Sequence, residues 1–167
     1  MSHGIGAINM TAQRQGMTKK LGCGLIGFGF LLLSFQGHAA LGGNRESVVT
    51  DHKALGTQNI VVSQESLYQV HELQHPSGAT VREYVSPQGK VFAVNWEGNV
   101  APNLQQILGQ HYPVFLKAIS TPHSGHHMVQ VKEGNLVVTH IQYLRQFSGS
   151  AFDTSLVPAG VDATQLK

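Results

Sequence analysis

The stretch PSGATVREYVSPQGKVFAVNWEG, residues 76–98, constrains the fold more than any other part of the chain. Two corners, Pro76-Ser77-Gly78 and Ser86-Pro87-Gln88-Gly89, separate runs in which apolar and polar residues alternate. Proline pre-sets φ for the second position of a β-turn and glycine takes up the positive φ that often follows. A side-chain period of two is that of a strand with one face turned to a core. The pattern predicts a three-stranded antiparallel meander over Leu67–Gln74, Thr80–Val85 and Lys90–Trp96. Alternation places Phe92, Val94 and Trp96 on one face and Val91, Ala93 and Asn95 on the other. The aromatic face is expected against a helix, and the lighter face partly wet.

That helix follows. Pro102-Asn103 is a start signal, and Leu104, Ile107, Leu108, His111 and Phe115 recur at 3.6-residue spacing. Pro113 removes a backbone donor and should kink or divide the helix near Tyr112, and Ser120-Thr121-Pro122 ends it. Met128–Lys132 and Leu136–Leu144 then read as a hairpin around Glu133-Gly134-Asn135. The tail from Phe147, with Ser148-Gly149-Ser150, predicts no more than a short edge strand. The fold class is therefore α+β: an antiparallel sheet of a three-stranded meander, a helix and a hairpin, packed on one helix. It forms a single domain over 67–167, preceded by a lead-in segment, 40–66, that shows no sustained period and carries at most a helical turn or an edge strand.

Ahead of the domain, Met17-Thr18-Lys19-Lys20 supplies positive charge, Leu21–Phe35 is an apolar run of about fifteen residues, and Gln36-Gly37-His38-Ala39-Ala40 is small and polar. That order is a Sec-type signal peptide over 1–39, with cleavage after Ala39 and residues 1–16 reading as a start-site extension. The run falls short of the roughly 20 residues needed to span a bilayer, so no permanent membrane span is expected after cleavage. The only cysteine, Cys23, leaves with the leader, and with it disulfide and thiol chemistry. Removing Arg14, Lys19 and Lys20 from the eleven basic residues leaves eight against nine acidic ones, a formal charge of −1. A near-neutral domain lacks the electrostatic footprint of a nucleic-acid binder.

Three groupings could carry chemistry. His123, His126 and His127 fall within one glycine-containing loop and could bind a zinc or copper ion, imidazole being a ligand for both. His71, Glu72 and Glu83 supply a histidine and carboxylates on adjacent strands, the parts of an acid–base couple. Arg82, Tyr84 and Trp96 offer a cation and two rings able to stack on a sugar or peptide. No Gly-x-Ser-x-Gly elbow or phosphate-cradling loop is present, and no catalytic residue is assigned.

The runs Ala40-Leu41-Gly42-Gly43, His71-Glu72-Leu73, Pro76–Pro87, Gly89–Val94 and Trp96-Glu97-Gly98 resemble those of an exported family from Gram-negative bacteria, domain of unknown function number 2844. The likeness covers essentially the whole mature segment. It implies a periplasmic or secreted destination and brings no activity, cofactor or catalytic residue. The leading expectation is a non-enzymatic binding or accessory module for an envelope protein, polymer or small ligand. The alternatives are a metal-binding envelope protein using the 123–127 loop, and an envelope hydrolase or isomerase built on His71, Glu72 or Glu83.

Overall fold

A computed structural model describes residues 41–57, 59–120 and 127–167. The segment read as a leader, its expected cleavage site, Cys23, His123 and His126 lie outside the described residues. The chain forms α1 (Arg45–Ala54), β1 (Asn59–Gln64), β2 (Gln69–Gln74), β3 (Thr80–Val85), β4 (Val91–Gly98), α2 (Leu104–Leu108), α3 (Tyr112–Ser120), β5 (Met128–Glu133), β6 (Leu136–Tyr143) and β7 (Gln146–Asp153). All seven strands join one antiparallel sheet in the order β1-β2-β3-β4-β7-β6-β5.

The two corners turn as their residues dictate. Gly78 and Gly89 have φ of 88° and 76°, values that a side chain resists. His75 N–H donates to Ala79 O at 2.8 Å and Ser86 N–H to Lys90 O at 2.8 Å, closing each turn. The Asn103 side chain caps α2 by accepting from Gln106 N–H at 3.2 Å. A 3-10 turn, Gly109–His111, then leads into α3, where Pro113 sits in the first turn and its missing N–H costs nothing.

Several expectations are corrected. The meander has four strands, because the edge strand allowed for in the lead-in segment forms, as β1, and pairs with β2. That segment also holds α1, and its Leu41 and Val48 are 2% and 1% exposed in the main core. One helix becomes three: Val48 of α1, Ile107 and Leu108 of α2 and Phe115 of α3 all pack on the same side of the sheet. The tail supplies a central strand where an edge strand was expected, since β7 pairs β4 on one side and β6 on the other.

Phe92 and Trp96 do not share a face. A bulge between Tyr84 and Val85 makes Val91 the partner of Val85, while Ala93 opposes Tyr84. One extra residue shifts the parity of everything beyond it. Trp96, Val94 and Val91 therefore lie in the helix-side core. Phe92 lies in a second cluster with Tyr84 and Ala93, covered by Leu156, Val157, Val161 and Leu166 of the segment after β7. The sheet is thus clothed by helices on one face and by its own carboxyl segment on part of the other.

Candidate functional site

Register sorts the side chains into rows running across the strands. On the helix side, Leu73, Val81, Trp96, Gly149 and His140 form one row. The missing side chain of Gly149 lets the indole lie flat across β7, so Trp96 Nε1–H donates to His140 Nδ1 at 3.3 Å. The two rings stack at 6.0 Å, with Phe115 meeting the imidazole edge-on at 5.6 Å. Accepting at Nδ1 places the His140 proton on Nε2, and burial holds its pKa below the ordinary value.

The adjacent helix-side row opposes His71 and Glu83 across β2 and β3, at 8% and 0% exposed. Burial and then the charge of Arg45 hold His71 below its ordinary pKa. Glu72 alternates to the opposite face, so the structure brings His71 and Glu83 together and separates Glu72 from both.

On the face away from the helices, one row lies under the carboxyl segment: Val70, Tyr84, Ala93 and Phe152. Burial pushes the Tyr84 phenol up to about 12. Its hydroxyl donates to Lys167 O and accepts from Asn95 Nδ2–H, which also reaches Leu166 O at 2.9 Å. These bonds fix the end of the segment along the boundary of the covered area.

The next row on this face is polar from strand to strand: Glu72, Arg82, Asn95, Ser150, Thr139 and Gln130. Beside it runs Gln74, Thr80, Glu97 and Ser148. Arg82 lies at the centre. Its Nε–H donates to Glu72 Oε2 at 2.8 Å and its Nη1–H to Glu97 Oε1 at 2.9 Å. The bond from Arg82, with a second from Gln74, holds the Glu72 carboxyl below its ordinary pKa. A depression of about 330 Å³ opens here, floored by Asn95, Ser148 and Ser150 and walled by Arg82, Glu97 and Leu166. Two carboxylates, one guanidinium, an amide and two hydroxyls offer donors and acceptors at strand spacing, with no nucleophile–base pair among them.

Of the residues named as a binding surface, Arg82 and Tyr84 share this face and Trp96 belongs to the other. Both rings are 2% exposed, so neither presents a stacking surface to solvent. Asn95, Ser148 and Ser150 are legible in the sequence as strand residues but not as parts of a site, and Thr139 carries no signal of its own. For Ser148 and Ser150 the signal is the period of two in Gln-Phe-Ser-Gly-Ser-Ala-Phe-Asp, 146–153; Asn95 and Thr139 join them only through the strand register. Of the proposed metal ligands only His127 is described; it is exposed and meets Tyr143 edge-on at 5.4 Å. Among the described residues no group of three His, Cys, Asp or Glu could hold a metal ion. A smaller depression of about 240 Å³, lined by Leu55, Val81, Val100 and Pro102, has His75 and Ser77 at its rim. There His75 Nδ1 accepts from Ser77 N–H at 3.0 Å, which locks the β2–β3 turn.

Among the described residues no helix is long and apolar enough to cross a membrane. A protein-family model matches residues 37–166, and its description is a protein of unknown function, DUF2844. No curated protein and no solved structure matches the chain.

Proposed function

The chain belongs to the DUF2844 family, and we propose that it is an exported, non-enzymatic binding module whose ligand seat is the open polar face centred on Arg82. The observation that carries this reading is the unbroken polar row Glu72-Arg82-Asn95-Ser150-Thr139-Gln130, one residue from each of six adjacent strands. Polar side chains repeated at the strand spacing of about 4.8 Å suit an extended polymer that offers hydroxyl and amide groups at intervals. Near-neutral charge around Arg82 argues against a polyanion. The leader-like segment ahead of residue 40 supports a ligand in the cell envelope.

The experiment is titration with soluble envelope oligosaccharides and peptidoglycan fragments, comparing the native chain with Arg82→Ala and Asn95→Ala. The expected result is saturable binding by the native chain, weakened at least tenfold in both variants, with the thermal midpoint unchanged in Arg82→Ala and lowered in Asn95→Ala only by the loss of its bonds to Leu166 O and Tyr84. Absence of binding by the native chain, or equal binding by all three proteins, overturns the reading.

A further inference from the structure

We propose that strand β1 joins the same strand of a second copy of this chain, in antiparallel register about Val61, making one continuous sheet from two molecules. Among the described residues β1 ends the sheet and has a neighbour on one side only. Its outer edge is not defended. Asn59–Gln64 reads Asn-Ile-Val-Val-Ser-Gln, with no charge and no proline, and Val61 and Val62 are 56% and 54% exposed. Natural edge strands ordinarily carry such defences, or are covered. The opposite edge of the sheet does: β5 carries Lys132 and Glu133, and α3 packs along it.

The hydrogen-bonding parity of β1 selects the register. Glu65 N–H donates to Tyr68 O at 2.9 Å, which makes the pair at 65 and 68 a hydrogen-bonded one. Counting back by twos through the register of β1 with β2, Ser63, Val61 and Asn59 also direct their backbone groups at β2. The amides and carbonyls of Ile60 and Val62 therefore point outward. In an antiparallel pair about a twofold axis through Val61, Ile60 of each copy exchanges both backbone bonds with Val62 of the other. Val61 then meets Val61, and Asn59 meets Ser63. Branched apolar side chains oppose branched apolar ones, polar oppose polar, and no like charges meet.

Such a contact is isologous and closes at two copies, whereas pairing β1 with β5 is head-to-tail and leaves a free edge at each end of a pair. The twofold axis stands perpendicular to the sheet, so both Arg82 rows emerge on the same side of the assembly. One short strand from each copy is at the small end of specific interfaces, and a concentration-dependent equilibrium follows.

The test is sedimentation equilibrium of the full-length chain with Val61→Lys as the probe, together with cysteine cross-linking in a Cys23→Ser background. The mass should double with rising concentration in the native chain and stay single in Val61→Lys, with Trp96 emission unchanged and the thermal midpoint unchanged at dilutions where the native chain is also single. Oxidised Val61→Cys should give a covalent dimer, because Cα atoms of a non-hydrogen-bonded pair sit about 4.5 Å apart. Val62→Cys should not, its two copies lying beyond the roughly 7 Å that a disulfide spans. A native chain that stays monomeric at millimolar concentration, a Val61→Lys variant that still dimerises, or cross-linking through position 62 in place of 61 overturns the proposal.

Discussion

Replacing Gly149 by alanine tests whether the Trp96–Gly149–His140 row is built as described. Gly149 is not among the positive-φ residues, so its backbone accepts a side chain and the outcome turns on space alone. There is none: an added Cβ would stand 2.6 Å from Trp96 Cε2, and nearer still to Cζ2 and to the Thr139 carbonyl oxygen, where real contacts essentially never fall below 3.0 Å. The indole is enclosed at 2% exposure, and the carbonyl belongs to the neighbouring strand, so neither can retreat without moving the β6–β7 ladder. Overpacking of this kind costs about 1–3 kcal/mol. The smaller conformational freedom of alanine in the unfolded chain returns about 0.4–1 kcal/mol. The backbone obstacle puts the net loss at roughly 2 kcal/mol, or about 4–10 °C in thermal midpoint for a domain of this size. Urea unfolding followed by the emission of Trp96, the sole tryptophan, measures it. In a Trp96→Leu background, followed by circular dichroism, the same substitution should cost about 1 kcal/mol less, because one of its two obstacles is gone. A Gly149→Ala variant as stable as the native chain would refute the row and with it the placement of the indole over β7.

Two further outcomes follow from the buried polar groups. His71 and His140 both titrate below 6.5 in the folded chain, so as pH falls through about 6.5 the unfolded chain takes up protons first. Stability should be full above that value, decline as pH drops toward the lowered native values and level off below them. Urea midpoints across the window should show the decline, and His140→Gln should flatten part of it; midpoints independent of pH would contradict the burial of both rings. Tyr84→Phe removes the hydroxyl that binds Lys167 O and Asn95, at a cost of about 1 kcal/mol. Amide exchange should quicken across 161–167 and stay slow in β3, and unchanged protection at the carboxyl segment would rule out its fastening by Tyr84.

Much of the fold was legible where local chemistry and tertiary burial agree. Strand β3 has the bounds its alternation predicts, Thr80–Val85, because a turn closes each end and the sheet extends on both sides. The division of the helix near Tyr112, ahead of Pro113, and the hairpin at Gly134-Asn135 follow equally from local rules. Strand β1 was obscure for the opposite reason. All of it but Ile60 is exposed, so no buried face imposed a pattern on its sequence. Strand β7 was obscure because its small residues have low strand propensity, and they are small because of contacts distant in sequence: Gly149 makes room for a ring on β4. The polar site was half legible. Arg82 stood out by charge, while its hydroxyl and amide neighbours come from strands that only the register brings alongside.

The bulge explains why the site lies where it does. Val91-Phe92-Ala93-Val94 is an unbroken apolar run, the pattern of a strand covered on both faces. Without the extra residue, Phe92 would join the helix core, and the carboxyl segment would meet a face too light to hold it. With it, Phe92 and Ala93 join Tyr84 beneath Leu156, Val157 and Val161. At Asn95 the run gives way to polar alternation, and there the segment ends its coverage, held by Asn95 Nδ2–H on Leu166 O. The next positions on that face across the sheet, Arg82 and Ser150, are therefore the first left open. A change from continuous to alternating apolar residues within one strand thus marks the border between covered and open sheet, and the Arg82 row occupies that border.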